Sequence, residues 1–156
     1  MTPGRADAAG LVAGFLLDAV LGDPRRFHPV AGFGAAAGAL EQRLYAPSRR
    51  AGAVFTAAAV SGPALAGFAA AAVTRRRPVA RAVLVAAATW TVLGGRTLRR
   101  ESRIMAGHLD GGDLAAARGR LRHLCGRDPA RLDEPELARA TVESVAENTS
   151  DAVVAP

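Results

Sequence analysis

The hydrophobic pattern changes character near residue 98. Before it, long apolar runs are separated by short breaks that carry arginine. After it, apolar positions recur at helical spacing among charges. The run "AAGLVAGFLLDAVLG" is interrupted only by Asp18 and predicts a first membrane helix over 6–22, short for a span of about 20 residues. Residues 51–73 carry no charge, with Arg49 and Arg50 before them and Arg75, Arg76 and Arg77 after. This is the clearest candidate span, and Pro63 inside it predicts a kink. Residues 79–98 form a third candidate, paired with 51–73 as a helical hairpin. Between these, 30–45 predicts a short amphipathic helix with too few apolar residues to cross. It reads as interfacial or re-entrant, with Gly32, Gly34, Ala36 and Gly38 allowing close helix approach.

Beyond Arg99 the helical pattern continues to about 109 and stops at Gly111–Gly112. Asp113 then caps a helix that ends at Gly126. Asp133 and Glu136 form the D-x-x-E variant of a capping box before a final helix over 134–148. Ala138, Thr141, Val142 and Val145 are its expected apolar face, and "NTSD" is expected to break it. The chain ends on the apolar "AVVAP", which predicts that it is the first part of something longer. The expected architecture is all-α: an integral membrane region over 1–98 and a polar helical region over 99–156.

Charge sharpens the division. Residues 1–100 hold 13 Arg and 4 acids, and residues 101–156 hold 7 Arg and 10 acids, so the first part is basic and the last third acidic. The chain contains no lysine, which excludes a P-loop and Schiff-base chemistry supplied by this chain. Cys125 is the lone cysteine, so there is no disulfide framework or cysteine-based zinc site. His28, His108 and His123 lack metal-ligand spacing. Aromatic residues are 4 % of the chain, too few for stacking platforms, and the arginines flank apolar runs. The basic character therefore points to a lipid membrane and not to nucleic acid. Eight arginines flank the hairpin on the side of 23–50 and 99–103, against four in its turn, which predicts those flanks on the cytoplasmic side.

The candidate chemistry lies near the end. Glu143, Glu147 and Asp151 recur every four residues, with Glu136 seven before Glu143 and Asn148 beside the stripe. Like charges at this spacing repel by a few tenths of a kcal/mol per pair, roughly 0.2–0.5. Either water solvates the face, or a cation or arginine offsets the repulsion; hard cations such as Mg²⁺ prefer carboxylate oxygens. Arg127 and Asp128 sit in a Gly-flanked loop, where the arginine suits phosphate or carboxylate, or a salt bridge to Asp133. Asp23 and His28 bracket "GDPRRFHP"; His28 suits a general base or a loop histidine satisfied by a backbone carbonyl. Asp18 is costly to bury alone, and Arg96 is an available partner.

Three stretches together resemble one family: "LLDAVLGDPRRFHPV" (16–30), "GDLAAARGRLRHLCGRDPARLDEPELARATVES" (112–144) and "VESVAENTSDAVVAP" (142–156). They are similar to adenosylcobinamide-phosphate synthase, the CobD/CbiB family of cobalamin biosynthesis, over about its N-terminal half. The resemblance implies a multi-pass enzyme of the cell membrane, of which this portion alone is expected to be inactive. It would join adenosylcobyric acid to aminopropanol or its phosphate, using ATP and Mg²⁺. It further implies that Glu143, Glu147 and Asp151 hold Mg²⁺, that Glu143, Glu147 and His28 serve catalysis, and that Asp23, Arg127, Asp128 and Asn148 bind substrate or phosphate. Two positions depart from the family pattern: Pro129, where Thr or Ser is usual, and Ala152, where Gly is usual. The alternatives are a non-catalytic membrane sensor or assembly protein of the same fold, and a transporter subunit. The absence of any charge within 51–73 argues against the transporter.

Overall fold

Caps and breakers set the helix ends. The computed structural model describes residues 2–23, 28–126 and 128–155. Among these there are seven α-helices and no strand: α1 (Pro3–Leu21), α2 (Pro29–Leu44), α3 (Arg49–Thr74), α4 (Pro78–Val92), α5 (Gly95–Asp110), α6 (Leu114–Leu121) and α7 (Glu134–Thr149). α7 runs on into a π-helical turn, Ser150–Val154. Prolines stand at or next to the first residue of α2, α4 and α7, where a missing N–H costs nothing. Ser48 Oγ accepts from Ala51 N at 3.2 Å to cap α3, and Asp113 Oδ1 accepts from Ala116 N at 2.9 Å to cap α6. Gly112, at φ +68°, turns the chain between α5 and α6.

The helices belong to two units. The first comprises residues 1–16 and 24–91, the second residues 17–23 and 92–156. The division falls at 91/92, where Leu93–Gly94 interrupt the helix, and residues 17–23 join the C-terminal unit.

In the first unit, α1 lies against α4 through glycine. A Cβ on Gly10 would stand 2.7 Å from Ala82 O and from Val85 Cβ. On Gly14 it would stand 2.5 Å from Thr89 Cβ and 2.7 Å from Ala86 O. The Gly10-x-x-x-Gly14 spacing is what brings the two backbones together. Arg81 closes the contact, with Nε 2.5 Å from Asp7 Oδ1 and Nη2 2.8 Å from Oδ2. Gly32, Gly34 and Gly38, the expected close-approach positions, have nothing within 4 Å of an added Cβ. Among the described residues their small size serves no packed neighbour: Gly32 and Gly34 are exposed and Gly38 is half-buried.

Two segments are long and apolar enough to cross a membrane: Arg49–Thr74, and Pro78–Asp110 with its interruption at Leu93–Gly94. α3 has 26 residues and runs through Pro63 without a break. At 1.5 Å per residue it is about 39 Å long, against a hydrocarbon core of about 30 Å. α1, with 19 residues and two aspartates, is not among these segments.

The second unit is built on α5, α6 and α7. Met105, Ala117, Leu121, Leu124, Leu137 and Ala140 form its core, with Leu98, Leu109, Leu114, Cys125, Leu132 and Val145 packed around them. Arg120 Nη2 ties α6 to Glu101 of α5 at 2.6–2.7 Å, and Arg118 donates twice to Leu132 O. The buried face of α7 is Leu137, Ala140, Thr141 and Ser144. It is rotated from the expected one, and Val142 is exposed. Polar residues can occupy the buried face because they bond within the helix: Thr141 Oγ1 donates to Leu137 O at 2.7 Å.

Candidate functional site

The "NTSD" segment does not end α7. Asn148 Nδ2 donates to Ser144 O at 2.7 Å and Thr149 Oγ1 to Val145 O at 2.7 Å, so these side chains bond back along the helix. The backbone then widens into the π turn, closed by Ala155 N donating to Ser150 O. Such turns recur at functional sites. Asn148 Nδ2 also reaches Leu124 O at 3.0 Å, tying the turn after α6 to the start of the π segment.

Three distant stretches converge here within the second unit. Gly94 N donates to Ala152 O at 3.0 Å. Asp18 is 2 % exposed, and its Oδ2 accepts from Arg96 N at 3.2 Å. Gly94, the N-cap residue of α5, offers no side chain, so Asp18 of α1 caps α5 from outside. The Arg96 guanidinium returns the contact by donating to Ala19 O at 3.0 Å and to Val20 O, both in the last turn of α1. Each helix thus supplies the charge that suits the other's terminus. Space for this comes from glycine. A Cβ on Gly95 would stand 3.1 Å from Asp18 Oδ2 and 3.5 Å from Val153 Cγ2; Gly22, at φ +68°, faces Arg96 Cδ. The expected Asp18–Arg96 partnership exists, but it runs through the Arg96 backbone N–H. Asp18 Oδ1 is buried without a hydrogen-bond partner among the described residues.

Asp18→Asn is expected to keep the acceptor and shift stability little. Asp18→Ala should cost about 1 kcal/mol, the usual loss for a removed helix cap. Thermal unfolding of the two variants side by side checks this, and equal midpoints would remove the capping role.

The carboxylates are distributed differently from the expected stripe. Glu136 is drawn into the capping box: its Oε2 accepts from Asp133 N at 3.0 Å, and Asp133 Oδ1 accepts from Glu136 N at 2.9 Å. Glu143 pairs with Arg139 at 2.7 Å, and this carboxylate holds the Arg139 guanidinium above its usual pKa range. Glu147 and Asp151 are exposed, on either side of the passage from α7 into the π turn. No group of three or more His, Cys, Asp or Glu side chains among the described residues is placed to hold a metal. Mg²⁺ needs only one or two carboxylates when phosphate and water complete its shell. Glu147 and Asp151 fit that pattern, with Glu143 engaged by arginine.

The remaining candidates are separate. Asp128 is exposed; its Oδ1 accepts from Ala130 N at 3.1 Å and lies 4.0 Å from Arg122 Nη2. Arg127, with its expected bridge to Asp133, lies outside the described residues. His28 belongs to the first unit and caps α2, with Nδ1 accepting from Val30 N at 3.2 Å. Asp23 ends the 17–23 segment of the second unit and is half-buried. Pro129 is fully buried. Ala152 sits in the helical π turn and needs no left-handed backbone; the close approach is made by Gly94 opposite it. Gly94, Gly95 and the Gly10–Gly14 pair were missed by sequence reasoning, although the "GG" before "R" and the four-residue glycine spacing were visible signals.

Fold and site define an all-helical protein with two segments of membrane-crossing length and a polar helical unit in which sequence-distant motifs meet. The family model described as CobD/Cbib protein matches residues 11–156. The chain belongs to this family. It is 50 % identical over 150 residues to "Cobalamin biosynthesis protein CobD" of Mycobacterium tuberculosis (strain ATCC 25618 / H37Rv), covering 96 % of this chain and 47 % of that protein. Proteins of the same name from Pelobacter propionicus and Geobacter metallireducens are 40 % and 41 % identical. They cover 96 % and 95 % of this chain and 48 % of each relative. The chain thus spans about half the length of the curated relatives it matches. No solved structure matches it.

Proposed function

We propose that the chain acts in cobalamin biosynthesis as part of a multi-pass, membrane-bound, ATP-dependent synthase. It joins the carboxylate of adenosylcobyric acid to aminopropanol or its phosphate as an amide. The observation that carries this reading is the meeting of the 17–23 segment, the Gly94–Arg96 entry to α5 and the π turn after "ENTSD" in one unit. Two of these stretches belong to the segments that resemble the family. The relatives named for cobalamin biosynthesis support the pathway.

A carboxylate does not condense with an amine until one oxygen becomes a leaving group, which transfer of a phosphoryl group from ATP provides. Mg²⁺ would supply charge neutralisation at the nucleotide phosphates. Glu147 and Asp151 are the residues that would hold it, with their carboxylates exposed and ready to accept. Asn148 keeps the segment between them in place through Leu124 O. Asp23 follows the Asp18 cap by five residues, so the cap sets where the "GDP" loop starts. His28 serves as the base toward the incoming ammonium. Its Nδ1 accepts a backbone N–H, so proton exchange falls to Nε2.

Membranes from cells expressing the gene that encodes this chain test the reading. Supplied with adenosylcobyric acid, aminopropanol or its phosphate, and Mg-ATP, they should form the corresponding amide by mass spectrometry, and only with ATP. Corrinoid retention without amide formation would favour the sensor alternative instead.

A further inference from the structure

The turn between α3 and α4 holds Arg75, Arg76 and Arg77, all exposed. Neighbouring charge is missing: residues 42–100 contain no acid. Within the first unit the acids are Asp7 and Glu41, against ten arginines. Asp7 is already held by Arg81. Helix-end carbonyls do not occupy the guanidiniums either. Thr74 Oγ1 donates to Ala70 O at 2.8 Å and Ala71 O at 3.3 Å, Arg75 N donates to Ala72 O, and Arg77 N donates to Thr74 O. None of the three arginine side chains has a hydrogen bond or ion pair with another described residue. They line an open cavity of about 380 Å³ together with Ala72 and Val73.

We infer that this cavity binds the phosphate headgroup of an anionic phospholipid. The shared chemistry is a phosphate monoanion or diester. The lipid is its source because the site sits where two apolar helices meet, and α3 leaves its sides unburied. Acyl chains can lie along α3 while the guanidiniums fork onto phosphate oxygens. Ala72 and Val73 give the glycerol region an apolar wall. This inference rests on the membrane reading of the first unit and not on the proposed chemistry, so lipid retention and amide formation can fail independently.

Native mass spectrometry of the detergent-solubilised chain is the test, with phosphatidylglycerol and phosphatidylcholine offered in competition. The wild-type chain should retain phosphatidylglycerol preferentially. R75Q/R76Q/R77Q should retain it about 100-fold more weakly, each arginine contributing about fivefold near an anionic surface. R75K/R76K/R77K should restore most of the retention, and R49Q/R50Q should leave it unchanged. Millimolar inorganic phosphate should not displace the lipid. The inference is overturned if the glutamine variant, with unchanged helicity, retains phosphatidylglycerol like wild type. It is equally overturned if R49Q/R50Q weakens retention as much, or if phosphate displaces the lipid. Should the glutamine variant not fold, wild type without lipid preference would overturn it by itself.

Discussion

Gly14→Leu is expected to destabilise the first unit by about 3 kcal/mol or more, above the ordinary overpacking cost of about 1–3. A Cβ alone would stand 2.5 Å from Thr89 Cβ and 2.7 Å from Ala86 O. The second neighbour is backbone, so relief requires α1 and α4 to separate. Separation would also pull Asp7 from Arg81, whose paired contacts at 2.5 and 2.8 Å depend on the same approach. Gly34→Leu is the matched control, because nothing lies within 4 Å of that position. Unfolding of both variants in the same detergent, followed by loss of helicity, separates them. Equal stability would mean that the α1–α4 contact does not hold this unit together.

If the proposed synthase reading holds, Glu147→Gln in the full-length protein is expected to lower amide formation at least about 100-fold, about 2.7 kcal/mol of barrier, and to raise the Mg²⁺ requirement. Membrane insertion should not change, since Glu147 is exposed and lies outside the two segments of membrane-crossing length. Glu143→Gln should cost less, because Arg139 already holds Glu143 at 2.7 Å. The initial rate over a Mg-ATP titration distinguishes a weakened metal site, rescued by more Mg²⁺, from a lost chemical step, which is not. Near-normal turnover at saturating Mg-ATP would make the acidic stripe a solvated helix face.

Local chemistry was legible wherever a few adjacent residues decide the outcome. Asp113 and Asp133 cap where the sequence placed them, because an N-cap bond spans three residues. The apolar stretch around 51–73 became α3 because an uncharged run in helix-forming residues leaves few alternatives. Glu136 also takes the capping-box place that the sequence gives it, its carboxylate accepting from Asp133 N, and this removes it from the acidic stripe. The expected inward face of α7 holds for Thr141, which bonds back to Leu137 O, but not for Val142, which is exposed while Leu137, Ala140 and Ser144 are buried.

The sequence by itself determined an all-helical chain, its division into apolar-basic and polar-acidic parts, its helix caps and its family. Periodicity, charge and short motifs are local properties that survive without knowledge of neighbours. Tertiary structure alone decided which glycines matter and which charges meet. A Cβ on Gly10 or Gly14 would meet the backbone of α4, and one on Gly32, Gly34 or Gly38 would meet no described residue, although all look alike in the sequence. Asp18 and Arg96 are 78 residues apart, and their exchange of helix caps depends on the exit of α1 meeting the entry to α5. No local spacing encodes that meeting; it follows from the glycine-sized gap that lets the two termini approach.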